Sequence, residues 1–357
     1  MKEERIIEIL LDLSTSAGVS GFETAAVETA ARYFRQYTAN VKRDRFGNLL
    51  ALLCGEPQME GERLTIAVVA HIDEIGAMVT KIEPEGFLRF APVGGIDPRT
   101  ILGQTVVVSG KKPLKGVIGA APPHLLSVQE RNEVVPIDKL FIDVGLTGEK
   151  ATELLDVGDF ISFEQQPLYS EGNRKITGKS LDNRAGVTAM LICAAELASM
   201  RYQADVCFVA SLQEEVGLRG AVTSAYGLKP DLALIVDVTH GDAPGLDDSN
   251  SFKLGSGPAL AVGPNLHPAL TDKLQETAKR YFLPWQKEPI PGHSGTDAWA
   301  FQVSREGIPS ALLSIPLRYM HTAVELLSLD DLIVCGKLLS HFIQNVDRSL
   351  LEDMKKC

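Results

Sequence analysis

Apolar residues recur at helical spacing over residues 2–13, and a break follows at Gly18–Gly21. Ser20-Gly21-Phe22-Glu23 then reads as a capping box that opens a second helix through about Tyr37. Phe46-Gly47-Asn48 predicts a turn into a strand over 49–53. Residues 64–70 form a short continuous apolar run, as expected of a strand buried on both faces. From about Asp73 to Glu164 the texture changes. Short strand-like pieces at 86–90, 105–109, 116–118, 140–143 and 159–163 are separated by glycine- and proline-bearing turns, with no helix longer than about three turns. Helix and strand then alternate: helices over 182–200, 218–226, 268–281 and 329–348, strands over 205–212, 232–238, 258–262 and 311–315. This pattern predicts an α/β fold, a mixed sheet with helices on both faces. One catalytic-sized domain, 1–72 with 165–357, is interrupted by a small all-β, barrel-like insert at 73–164.

Composition narrows the function classes. The 357 residues are 45% hydrophobic, enough for a substantial core, and carry a formal net charge of −11. That charge opposes nucleic-acid phosphates and anionic membranes, which need a basic face. The start, MKEERIIEILLDL, is acidic and amphipathic rather than a basic segment followed by an apolar one, and no apolar run approaches the ~20 residues that span a bilayer. Cys54, Cys193, Cys207, Cys335 and Cys357 are scattered, odd in number and without a C-x-x-C pair, which predicts reduced thiols in a cytoplasm and no zinc finger.

The candidate chemistry lies where strands end. The 64–70 strand runs into His71-Ile72-Asp73-Glu74, the 205–212 strand into Glu214-Glu215, the 232–236 run into Asp237, and 311–315 through a short turn to His321. Ser180-Leu181-Asp182-Asn183 stands just before a helix, where the first turn favours a carboxylate. Each piece has a structural reading alone: a hydrogen-bonded histidine, a helix cap, two solvated acids. Ligands of open α/β sheets bind at the strands' carboxyl ends, so these residues are expected to converge. Four carboxylates in one crevice repel unless cations neutralise them, and a mixed His/carboxylate set without thiolate suits two divalent ions such as Zn²⁺, Co²⁺ or Mn²⁺.

The pattern closely resembles the tetrahedral (TET-type) di-metal aminopeptidases, the glutamyl and deblocking group sometimes labelled cellulase M. The matching stretches include Ala70-His71-Ile72-Asp73-Glu74-Ile75-Gly76, Ser180-Leu181-Asp182-Asn183-Arg184-Ala185-Gly186 and Gln213-Glu214-Glu215-Val216-Gly217. Val236-Asp237-Val238-Thr239, Gly295-Thr296-Asp297-Ala298 and Pro316-Leu317-Arg318-Tyr319-Met320-His321-Thr322 follow in family order. The resemblance implies a metal-dependent aminopeptidase with a di-zinc peptidase fold acting on short peptides. It implies that His71 and Asp237 bind one metal, Glu215 and His321 the other, and that Asp182 bridges both. Glu214 is then the general base, Asp73 orients the far nitrogen of His71, and the Asp182–Asn183 peptide is cis. It further implies homo-oligomers, from dimers to a hollow tetrahedral dodecamer, with the insert sharing the contacts and controlling substrate access.

Alternatives are a two-metal carboxypeptidase or amino-acid deacylase, whose lid domain is usually helix-bearing, and a non-catalytic metal-binding scaffold. A glycan hydrolase needs two carboxylates but no metal, and two Trp with 6% aromatics offer little to stack sugars on. The loop 291–297 is a candidate flap and His240 a supporting residue, while His124, His267 and His341 read as structural or solvated. Arg99 and Arg219 are candidates near the side-chain pocket, whose preferred N-terminal residue stays open.

Overall fold

A computed structural model describes residues 1–56, 63–247 and 251–354. Four parallel strands form its centre, in the order Asp205–Ser211, Thr65–His71, Leu232–His240, Ser310–Arg318. Antiparallel strands extend this into an 11-stranded mixed sheet, with Leu49–Leu53 on one side and Glu325–Ser328 on the other. Ala259–Val262 pairs antiparallel with Ser310–Arg318 and carries Gln286–Pro289 parallel to itself.

Alternation along the central strands explains the layers. Ile66, Val68 and Ala70 face a core shared with helices Glu3–Thr15, Thr24–Phe34, Leu181–Leu197, Pro268–Arg280 and Leu329–Gln344. Ala67 and Val69 face the opposite core, with helices Arg219–Leu228 and Asp297–Gln302. Both faces are therefore covered, which is why these strands read as unbroken apolar runs. Each fully buried Val or Ile contributes about 1.5–3 kcal/mol, so the sheet is a rigid platform for its loops.

Between Gly76 and Phe163 six strands close a barrel in the order Gly76–Ile82, Leu88–Val93, Phe141–Asp143, Pro113–Gly119, Thr105–Ser109, Phe160–Phe163. It has its own core, centred on Val79, Leu88, Val106, Val108, Ile142 and Ile161. The α/β fold with a small all-β unit is thus as expected.

Several local expectations are corrected. No capping box forms at Ser20: the hydroxyl donates to Asp73 Oδ2 at 2.6 Å, and the helix begins at Thr24 without a side-chain cap. The buried Asp73 carboxylate needs donors, and the Ser20 hydroxyl is one of those it takes. That helix ends at Phe34 rather than Tyr37. The seven-residue first barrel strand and the four-residue Gln286–Pro289 and Glu325–Ser328 strands are not among those the pattern predicts, their polarity being mixed. Asp237 lies within a strand, as the predicted 232–238 range has it, and that strand runs on two residues further, to His240.

Candidate functional site

Parallel register brings distant residues together. Ser211 pairs with His71 and Asp237 with Ser314, so His71 and Asp237 stand on adjacent strands. A cavity of about 830 Å³ opens there, lined by His71, Asp182, Glu214, Glu215, Asp237 and His321. All six residues that the strand-end argument singles out meet in one place.

Their spacing divides them. Ligand atoms of His71, Asp182 and Asp237 lie within 4.8 Å of one another, as do those of Asp182, Glu215 and His321. Asp182 belongs to both groups and turns one oxygen to each: Oδ1 is 3.1 Å from His71 Nε2, and Oδ2 is 3.4 Å from His321 Nε2. His71 Nε2 also lies 3.8 Å from Asp237 Oδ1, and His321 Nε2 lies 3.4 Å from Glu215 Oε1. His71, Glu214 and Glu215 form a third group at ligating distance.

Supporting contacts hold these side chains. Asp73 is fully buried behind His71 and off the cavity wall, its Oδ1 3.5 Å from His71 Nδ1. It also accepts from the Glu214 and Glu215 backbone N–H groups at 3.0 and 3.2 Å, so one carboxylate faces the imidazole and fixes the diacid loop. The base of that loop is closed by the Gly220 N–H donating to Leu212 O, and Asn48 braces both ends. Leu212 N–H donates to Asn48 Oδ1 at 3.0 Å, and Asn48 Nδ2 donates to Gly220 O at 3.0 Å. Asn48→Ala should leave the Leu212 N–H unpaired, at about 1–3 kcal/mol, while Gly220 O keeps the Thr223 hydroxyl as a donor. The expected result is a lower melting temperature together with reduced kcat, measured by calorimetry and aminoacyl-anilide turnover. An unchanged melting temperature would refute the bracing role.

Glu325, which the sequence reading did not single out, accepts from Asp182 N–H and from His321 N–H, each at 3.1 Å. It thereby fixes two loops far apart in sequence. Only its position as an acid heading an apolar strand could have flagged it. The Asp182–Asn183 peptide is cis, and Asn183 Nδ2 donates to Val236 O, one residue before Asp237. Ser180, Gln213, Tyr319 and His321 adopt positive φ between 53° and 60° on the loops that carry the site. Such backbone costs on the order of 1 kcal/mol or more per residue and collects where side chains must be aimed. The barrel reaches the site through Gly94-Gly95: a Cβ on Gly95 would meet His321 Nδ1 at 2.8 Å, and Gly94 has φ +79°.

The electrostatics test the fit to cations. Burial pushes the Glu214 carboxyl up to about 10, aided by the charges of Asp237, Asp297 and Glu215. Burial likewise raises Glu215 and Asp237. For Asp182 burial is outweighed by the two imidazoles, which hold it below the usual carboxylate range. Hydrogen bonds to Asp182 and Glu215 push His321 up to about 11, and acidic neighbours raise His71 despite its burial. The acids demand positive charge, which the described residues of the cavity wall supply only by protonating imidazoles, so this donor set fits divalent metal.

The remaining candidates separate. Residues 291–296 and His240 line the cavity, and Asp297 lies buried, accepting from Ser211 Oγ, with burial pushing its carboxyl up to about 6. Arg99 and Arg219 are exposed and do not line it, Arg99 pairing with Asp97 instead. The expectation that they flank the side-chain pocket is corrected. His341 stacks on Tyr281, away from the cavity.

The comparisons with known proteins agree. Residues 47–338 match the family described as M42 glutamyl aminopeptidase. The chain is 34% identical over 352 residues to the lysyl aminopeptidase of Pyrococcus furiosus, covering 98% of this chain and 97% of that one. Aminopeptidase APDkam598 from the archaeon Desulfurococcus kamchatkensis shares the fold with a TM-score of 0.91 at 34% identity, covering 99% and 98% of the two chains. The TET1 peptidase of Pyrococcus horikoshii, which can assemble into a tetrahedron or a large octahedral shell, matches with a TM-score of 0.83 at 34% identity over 96% and 100%. The chain belongs to the M42 glutamyl aminopeptidase family and is a metal-dependent aminopeptidase.

Proposed function

We propose that this aminopeptidase removes N-terminal residues from short peptides at a two-metal site. In it His71 and Asp237 hold one ion, Glu215 and His321 the other, and Asp182 both. The observation that carries this reading is the division of Asp182, one oxygen toward each of two donor groups. Zn²⁺ and Co²⁺ suit the imidazole and carboxylate set, with Mn²⁺ also compatible. Two such ions supply Lewis acidity toward the scissile carbonyl and toward water. Glu214 then takes the attacking water's proton and returns it to the leaving amine. Its position on the cavity wall beside His71 and Glu215 supports that role. Asp73 positions His71 and the Glu214 backbone without touching substrate.

Chelation is expected to abolish aminoacyl-anilide hydrolysis, and added Zn²⁺, Co²⁺ or Mn²⁺ to restore it. Full activity in chelator, with metal shown absent by elemental analysis, would overturn the reading.

A homo-oligomer, up to a tetrahedral dodecamer, is part of the proposal, supported by the likeness to the Pyrococcus horikoshii TET1 peptidase. The barrel, taken as the insert at 73–164, would share its contacts. Light scattering showing only monomer with metal bound would count against it. A cytoplasmic setting suits the thiols: Cys54, Cys193, Cys207 and Cys335 are free, Cys357 lying outside the described residues. No helix among the described residues is long and apolar enough to cross a membrane.

A further inference from the structure

One acid in the cavity wall has no part in the proposed chemistry. Glu288, from Gln286–Pro289, is 8% exposed and lines the same cavity as the six site residues. Its Oε1 accepts from Thr239 Oγ1 and its Oε2 from Ser314 Oγ, both at 2.6 Å. Among the described residues it forms no ion pair. Thr239 and Ser314 thus hold a buried carboxylate in one orientation without neutralising it.

Its partners locate it. Thr239 follows Asp237 by two residues on the same strand, so both side chains leave the same face. Ser314 is the register partner of Asp237 on the neighbouring strand. Strand geometry puts both anchor positions about 5–7 Å from Asp237, measured between Cα atoms. A lysine ammonium stands on the order of 6 Å from its own Cα, a reach comparable to that spacing. Leu312, Ile290 and Met320 also line the cavity and offer apolar contact to a methylene stem.

We infer that Glu288 is the specificity-determining residue of the pocket for the substrate's first side chain, and that it selects cationic N-terminal residues, lysine and arginine. The inference rests on the two-metal aminopeptidase reading. A buried carboxylate without counter-charge gains most from a ligand that brings one, whereas an acidic side chain would place two carboxylates together. The preorganising hydroxyls add direction: with one lone pair on each oxygen engaged, the free lone pairs are left to a donor entering from the cavity.

The test compares lysyl, norleucyl and glutamyl anilides with the metal-loaded full chain. Norleucine keeps the lysine stem and lacks its ammonium. The wild type is expected to favour lysyl over norleucyl by at least tenfold in kcat/KM and to turn over glutamyl poorly. In Glu288→Gln the lysyl-to-norleucyl ratio is expected to fall at least tenfold, mainly through KM for the lysyl substrate. If that variant misfolds, the wild-type ratio still decides, because it needs no substitution. Preference for glutamyl, or for norleucyl over lysyl, in the wild type would overturn the inference. An equal loss on lysyl and norleucyl substrates in the variant would also overturn it, since that is the signature of α-amine binding. Failure to hydrolyse any aminoacyl anilide would instead count against the aminopeptidase reading beneath it.

Discussion

Replacing Glu214 by glutamine is expected to lower kcat by about 10²–10⁴-fold while metal content stays at the wild-type level. Glutamine keeps the shape and removes the ability to take a proton from water, so only the transfer step suffers. The measurement pairs steady-state turnover with elemental analysis of the same sample. Both outcomes are informative, because Glu214 lies within ligating distance of His71 and Glu215. A variant that loses metal would make Glu214 a ligand, and one that keeps metal with near-normal turnover would remove it from the chemistry. The loop itself should survive, since Asp73 accepts from the backbone N–H groups at 214 and 215 and not from either side chain.

Replacing Asp182 by asparagine should have the largest effect on metal. Its two oxygens face different imidazoles at 3.1 and 3.4 Å, and an amide keeps only one oxygen while turning hydrogens toward the other site. Metal content is expected to drop to one ion per chain or fewer. Turnover should fall by about three orders of magnitude, as expected when Lewis acidity worth several kcal/mol is removed. Thermal unfolding supplies an independent readout. Ligand at about 1,000 times its dissociation constant stabilises a protein by about 4 kcal/mol, so added Zn²⁺ should raise the wild-type melting temperature much more than the variant's. An asparagine variant that binds two ions per chain would defeat the bridging assignment.

Both substitutions fall on side chains that do the chemistry, and the sequence disclosed these more readily than the residues that hold them. Side chains that do chemistry were visible because they break a pattern. His71 ends an apolar run, Asp237 interrupts another, and Glu214-Glu215 follow a third. Each is an exception to the burial rule, and exceptions are conspicuous. The residues that hold them were not visible. Glu325, Ser20 and Asn48 satisfy ordinary local preferences, and their partners lie 143, 53 and 164 positions away. Ser20 shows the cost of local inference most plainly. Its spacing to Glu23 fits a helix cap, yet the hydroxyl is used by a buried acid that only the folded chain brings near.

Glu288 carries the same lesson to selectivity. Arg99 and Arg219 drew attention as charges, but both are exposed and off the cavity wall. Glu288, which does line it, sits in a four-residue strand with no sequence signature.

What the sequence by itself determined is the α/β alternation, the all-β interruption, and the identity of the six residues that share the cavity. Periodicity records which face of an element is buried, and a charged group at a buried strand end requires a partner. The tertiary structure alone decided which oxygen of Asp182 faces which imidazole, which carboxylate steadies the diacid loop, and which acid waits without a counter-charge. Those are relations between segments 26 or more residues apart in the chain. They depend on strand register and packing distance, which no local pattern of hydrophobic and polar positions encodes.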